Sequence, residues 1–154
     1  QYIRKGDTAY YFGDYDNAID DYTKAIELNP NHAVAYNNRG VAKDGLGDYQ
    51  GAIKDYTKAI ELDPNHAVAY YNNRENSKFK LGQYEEAIKD YNKAIELDPI
   101  DGDTYNNRGF AKFKLGDYEG AIEDHTKAME LDPTNNLFPI LLERVKKIIP
   151  RTKD

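Results

Sequence analysis

The stretch Tyr15–Pro30, YDNAIDDYTKAIELNP, decides the fold, because the chain writes it four times. It returns as Tyr49–Pro64 (YQGAIKDYTKAIELDP), Tyr84–Pro99 (YEEAIKDYNKAIELDP) and Tyr118–Pro133 (YEGAIEDHTKAMELDP). Pro30, Pro64, Pro99 and Pro133 stand 34, 35 and 34 residues apart, the period of a helical-hairpin solenoid. In each copy Ala18, Ile19, Tyr22, Ala25, Ile26 and Leu28, or their equivalents, fall on one helical stripe, with Asp20, Asp21, Lys24 and Glu27 between them. Proline lacks an N–H and disfavours helix in the residue before it, so each copy stops at its Asn-Pro or Asp-Pro.

Working outward, Asp14, Asp48 and Asp117 precede three copies as N-caps, and Gln83, a poorer cap, precedes the other. Before them stand Gly13, Gly47, Gly82 and Gly116, where a left-handed C-cap closes a preceding helix. Each unit is therefore helix A, a glycine turn, helix B and a proline stop.

These units resemble the tetratricopeptide repeat, a 34-residue helix–turn–helix with the spacing W-x2-L-G-x2-Y, then A-x3-F, then P. The second unit reads Tyr36-x2-Arg39-Gly40, then Ala52-x3-Tyr56, then Pro64. The pairs Ala18/Ala25, Ala52/Ala59, Ala87/Ala94 and Ala121/Ala128 stand where the family keeps small residues for close helix contact. The resemblance implies an all-α, right-handed α-solenoid of antiparallel helix pairs, forming a single domain over 1–150. Its repeats span about 1–32, 33–66, 67–101 and 102–135, followed by a capping helix at 136–149 and a tail at 151–154. Two departures recur. The usual Leu before the Gly is Lys5, Arg39, Arg74 and Arg108, and the usual Tyr after it is Ala9, Lys43, Lys78 and Lys112. With Asp21, Asp55, Asp90 and Asp124 sharing one position of helix B, at least two Arg–Asp pairs between packed helices are expected, since a partly buried guanidinium needs a carboxylate.

Irregularities carry further expectations. Tyr10, Tyr11 and Phe12 make the most aromatic turn and are expected to pack against the next unit or against an absent capping helix. Gly45 inside a helix A costs about 1 kcal/mol relative to Ala. The third unit has one extra residue, within Tyr70-Tyr71-Asn72-Asn73. Lengthening the connection costs less than a π-bulge, which aligns Tyr71 with Tyr36 and Tyr105. Glu75 then occupies the position of Gly6, Gly40 and Gly109, where it must tilt outward or spread the helices. It marks either a hinge or a tolerated distortion. After Pro133, Asn135 or Asn136 caps a helix in which Leu137, Phe138, Ile140, Leu141, Leu142, Val145, Ile148 and Ile149 are apolar, ended by Pro150. That face is broader than one neighbour requires.

Composition excludes several classes. A net charge of −6 and a pI near 5.1 argue against nucleic acid. Without Cys there is no disulfide framework and no cysteine nucleophile. No stretch reaches the roughly 18 apolar residues of a membrane span, so a soluble chain is expected, with the cytoplasm favoured. The start at Gln1 reads as a fragment or a processed product. His32, His66 and His125 do not cluster with other ligands, so no metal and no cofactor is expected. Asp98–Asp103 fails the spacing of an EF-hand loop. Paired acids such as Asp20/Asp21 and Glu85/Glu86 do not converge on a substrate, and the chain is read as non-enzymatic.

The resemblance implies a protein–protein interaction scaffold whose helices A line a concave groove for an extended peptide or a partner helix. The alternative is a self-assembly or docking module that stacks through its terminal helices, including a homodimer through the last helix, in the service of a larger protein. The groove positions are Asn37, Asn38 and Val41; Asn72, Asn73, Asn76, Phe79 and Lys80; and Asn106, Asn107, Phe110, Phe113 and Lys114. Asparagine offers donor and acceptor, so a ladder one repeat apart can pair with successive amides of an extended chain. This resembles the asparagine ladder of glycosyltransferase-linked members. Alternatively, some of these amides bond neighbouring helices. The phenylalanines add apolar pockets, and the lysines a preference for acidic side chains. Chaperone-binding members clamp a terminal carboxylate with Lys and Asn on the first helix A, Asn on the second, and Lys and Arg on the third. Here those positions hold Ile3, Asp7, Asn38, Val68 or Ala69, and Asn72 or Asn73. Only the second-helix Asn matches, so no carboxylate clamp is expected.

Overall fold

A computed structural model of the chain describes residues 1–135 and 137–148, the side chains of residues 137 and 138 excepted. The described residues form an all-α chain. Its helices are α1 Tyr2–Tyr11, α2 Tyr15–Leu28, α3 Ala33–Gly45, α4 Tyr49–Leu62, α5 Val68–Lys80, α6 Tyr84–Leu97, α7 Gly102–Lys114, α8 Tyr118–Leu131 and α9 Leu137–Ile148. Thus α1, α3, α5 and α7 are helices A, and α2, α4, α6 and α8 are helices B.

The local signals act as their chemistry requires. Gly13, Gly47, Gly82 and Gly116 take φ of 76°, 81°, 74° and 83°, the left-handed region closed to most side chains, and so turn each helix A into its helix B. Carboxylates of Asp14, Asp48 and Asp117 accept from the backbone N–H of Asn17, Gly51 and Gly120, whereas Gln83 makes no side-chain cap to α6. The extra residue of the third repeat is absorbed before its helix A, by a 3-10 turn at Pro64–His66. Accordingly α3, α5 and α7 are each 13 residues long. Tyr36, Tyr71 and Tyr105 keep one register, each ring centre 5.4–5.5 Å from the guanidinium carbon of the Arg three residues on.

The chain divides into two compact units, Gln1–Leu81 and Gly82–Asp154, and the boundary falls inside the irregular third repeat. In the first unit Ala18, Tyr22 and Ala42 form one buried cluster, Ala25, Ile26 and Ala35 a second, and Ala33, Ala59, Ile60, Ala67 and Tyr70 a third. The contacts are close because of glycine. A Cβ on Gly6 would come within 2.6 Å of the Tyr22 ring, and one on Gly40 within 2.7 Å of Tyr56. Gly45 leaves room for Tyr15, whose ring a Cβ would meet at 2.9 Å. At the equivalent of Gly6 and Gly40, Glu75 does not tilt outward: it is fully buried. Tyr11 and Phe12 do not pack against the next unit. They lie edge to face with each other and are 83% and 77% exposed, while Tyr10 packs on Tyr15.

The expected Arg–Asp pairs are present. Arg39 donates through Nε and Nη2 to both oxygens of Asp55, at 2.9 and 2.7 Å, and Nη1 reaches Thr23 of the preceding helix B. Lys43 joins the same carboxylate at 2.8 Å. In the second unit Arg108 and Lys112 hold Asp124 likewise, and Arg108 also donates to Asn92. The two departures from the usual repeat thus meet on one buried acid. There α9 covers α8 with Leu142 and Val145, both buried, and its first turn tolerates Pro139. Ile140 and Ile148 point outward, 52% and 53% exposed. The predicted cap at Asn136, and Ile149, Pro150 and the tail, lie outside the described residues.

Candidate peptide-binding face

Within the first unit, helices A of three successive repeats bring a line of short polar side chains together. Tyr22 O–H donates to Asp7 Oδ1 at 2.8 Å, and Asn38 Nδ2 donates to the same oxygen at 3.1 Å. Asn37 Nδ2 then donates to Asn38 Oδ1 at 3.2 Å, and Asn73 Nδ2 to Asn37 Oδ1 at 2.9 Å. This chain runs from α1 through α3 to α5. Burial, with Asp7 accepting its hydrogen bond, pushes the Tyr22 hydroxyl well above its ordinary pKa, so the phenol remains a donor.

Asn37, Asn38 and Asn73 are half-buried. An amide carries two N–H donors and an oxygen with two lone pairs. The bonds within the line therefore leave each of them an N–H and a lone pair. Asn37 and Asn38 belong to one repeat and Asn73 to the next, so the line joins helices A of successive repeats. Asn72 is half-buried, and Asn76 is exposed on α5.

Farther along the same helices, Ser77 Oγ donates to Asp44 Oδ1 at 2.8 Å, and Lys80 Nζ binds Asp44 Oδ2 at 3.0 Å while lying 5.0 Å from the centre of the Tyr49 ring. Lys80 is thereby paired within the fold. Between α1 and α3 a cavity of about 230 Å³ opens, lined by Asp7, Tyr10, Tyr22, Asn38 and Val41. Asp7, which stands at a carboxylate-clamp position of the family, lies on this face, and Tyr10, Asp44 and Ser77 join it although the groove positions named from the sequence omit them. The signal lay in the repeat register, since Asp7 shares its position with Val41, Asn76 and Phe110, and Tyr10 and Asp44 share theirs with Phe79 and Phe113.

In the second unit the predicted residues divide. Asn106 is buried, its Oδ1 2.9 Å from His125 Nδ1, so this amide faces the core. Asn107 is half-buried and Lys114 exposed. Phe110 packs edge-on against His125, and Phe113 tilts onto Tyr118. Phe79 of the first unit is half-buried. Among the described residues no three His, Asp or Glu side chains come together as metal ligands, and no helix is long and apolar enough to cross a membrane.

Comparison with known proteins identifies the repeat family and the fold. The family model described as the tetratricopeptide repeat matches residues 1–32, 33–66 and 102–135, and a second, described as a TPR repeat, matches residues 76–116. Curated protein sequences return no match. Among solved structures, MamA from Desulfovibrio magneticus RS-1 superposes with a TM-score of 0.88 at 24% identity, covering 95% of this chain and 82% of that one. The first TPR of Spaghetti (RPAP3), bound to the HSP90 peptide SRMEEVD, gives 0.71 at 30% identity over 75% of this chain and 90% of that one. The Arabidopsis OM64 TPR domain gives 0.71 at 28% identity over 76% and 96%.

Proposed function

Because the chain belongs to the tetratricopeptide repeat family, we propose that it is a protein–protein interaction scaffold that holds an extended peptide along its helices A. The observation that carries this reading is the amide line of Asp7, Asn38, Asn37 and Asn73. Its members are fixed by one another, so little side-chain entropy is lost when a peptide binds. Each asparagine keeps a donor and an acceptor for a peptide backbone, which is sequence-tolerant recognition. The peptide seated on the RPAP3 neighbour supports the same use of the fold.

The chemistry of that neighbour's ligand does not carry over. A terminal carboxylate needs cations, and this face presents Ile3, the acid Asp7 and an already paired Lys80. Peptides selected from a random display library supply the test. Replacing Asn38 and Asn73 together by Ala weakens them by about 1–3 kcal/mol, at about 0.5–1.5 kcal/mol for each lost hydrogen bond, with the helical circular dichroism retained. A free peptide ending in Glu-Glu-Val-Asp shows no micromolar binding. Unchanged affinity in the double variant would place the binding surface elsewhere.

A second reading, assembly through the terminal helices, rests on the outward Ile140 and Ile148 of α9 and on the exposed Tyr11 and Phe12.

A further inference from the structure

We infer that the cavity between α1 and α3 is a subsite for a basic side chain, arginine or lysine, of the bound peptide; this rests on the scaffold reading and names what its partner carries. Asp7 supplies the charge. Its carboxylate accepts hydrogen bonds from two neutral donors, Tyr22 and Asn38, and among the described residues no cation pairs with it. Asp44 of α3 is by contrast already held by Lys80.

The walls suit an alkyl stem with a cationic head. Val41 and the face of Tyr10 are apolar, and Tyr10 is 38% exposed at the mouth. A volume of about 230 Å³ is several times the ~30 Å³ share of one water and below the ~300 Å³ of a small-molecule pocket, so it fits a single side chain. The fold itself displays the chemistry one repeat on. There the ammonium of Lys80 sits 3.0 Å from an aspartate and 5.0 Å from the centre of a tyrosine ring. Asp7 and Tyr10 offer a carboxylate and a ring of the same kinds with that cation absent, and a cation over an aromatic face adds to the carboxylate's attraction.

The test uses small probes, so that it does not depend on peptide binding elsewhere. Arginine blocked at both ends is titrated into the isotopically labelled chain, against norleucine blocked in the same way. The arginine probe shifts the Asn38 side-chain amide and the Tyr10 ring signals, and norleucine does so far less. Asp7→Asn keeps a carbonyl acceptor for Tyr22 and Asn38 while removing the charge, and weakens the arginine probe roughly tenfold. Tyr10→Leu, at a partly exposed position, weakens it several-fold and serves if Asp7→Asn disturbs the fold. Added salt weakens binding to wild type more than to Asp7→Asn. Equal responses to the two probes, or an arginine titration unchanged in both variants, would overturn the subsite. If the amide variants still weaken selected peptides in that case, the scaffold reading stands without it. If the arginine probe binds as described while selected peptides ignore the amide variants, the subsite is supported and the amide ladder fails.

Discussion

At the scale of the residue, the chain places polar groups where a generic repeat has apolar ones, and in the second and fourth repeats these meet on one buried acid. Asp55 receives Arg39 and Lys43, and Asp124 receives Arg108 and Lys112. A buried pair of this kind is weak evidence for net stability, but removing one member strands the others. His125 is a different case. It is fully buried where the other repeats have Tyr22, Tyr56 and Tyr91, and Nε2 has no hydrogen-bonding partner among the described residues. Burial lowers its pKa below the ordinary 6.5, with nearby Asp124 opposing the shift only in part. The unfolded chain therefore binds this proton at a higher pH than the folded one does. The contribution is constant above the unfolded value and is lost as pH falls below about 6.5. Urea denaturation from pH 7.5 to 5 should show stability falling in wild type, and less steeply in His125→Phe; equal slopes would remove His125 as the cause.

At the scale of the element, helix boundaries are set by residues whose effect is local. The glycines at positive φ and the three capping aspartates lie where their chemistry requires, and α6 alone among the helices B begins without a side-chain cap. Gln83→Asp should then stabilise the chain by about 1 kcal/mol. A rise in the thermal midpoint checks this, and no rise would mean that the start of α6 is already satisfied. The α5 start was also legible, because an added residue is cheaper in a connection than in a hydrogen-bonded helix. Glu75 was legible only as a choice: steric reasoning at a glycine position either tilts the side chain outward or spreads the helices, and burial of the side chain removes the first.

At the scale of the molecule, the outer face of α9 carries the assembly reading. Its inner face is satisfied by Leu142 and Val145, which leaves Ile140 and Ile148 for another surface. A symmetric contact through them closes as a dimer. Sedimentation velocity at high concentration should show a dimer that Ile140→Asp returns to monomer, while a wild-type monomer throughout would reject it.

The repeat period, the helix ends and the family were determined by the sequence alone, since a proline, a left-handed glycine or a capping carboxylate acts within a few residues of itself. So were the Arg–Asp pairs, because a repeated register places equivalent residues on equivalent helices. The use made of each asparagine was decided only by the tertiary structure. Asn37, Asn38 and Asn73 join one line with Asp7, whereas Asn106, written in the same register as Asn37, turns to a buried histidine. An amide bonds whichever donor or acceptor packing brings within about 3 Å, and apart from the Asn37–Asn38 bond that neighbour comes from another helix.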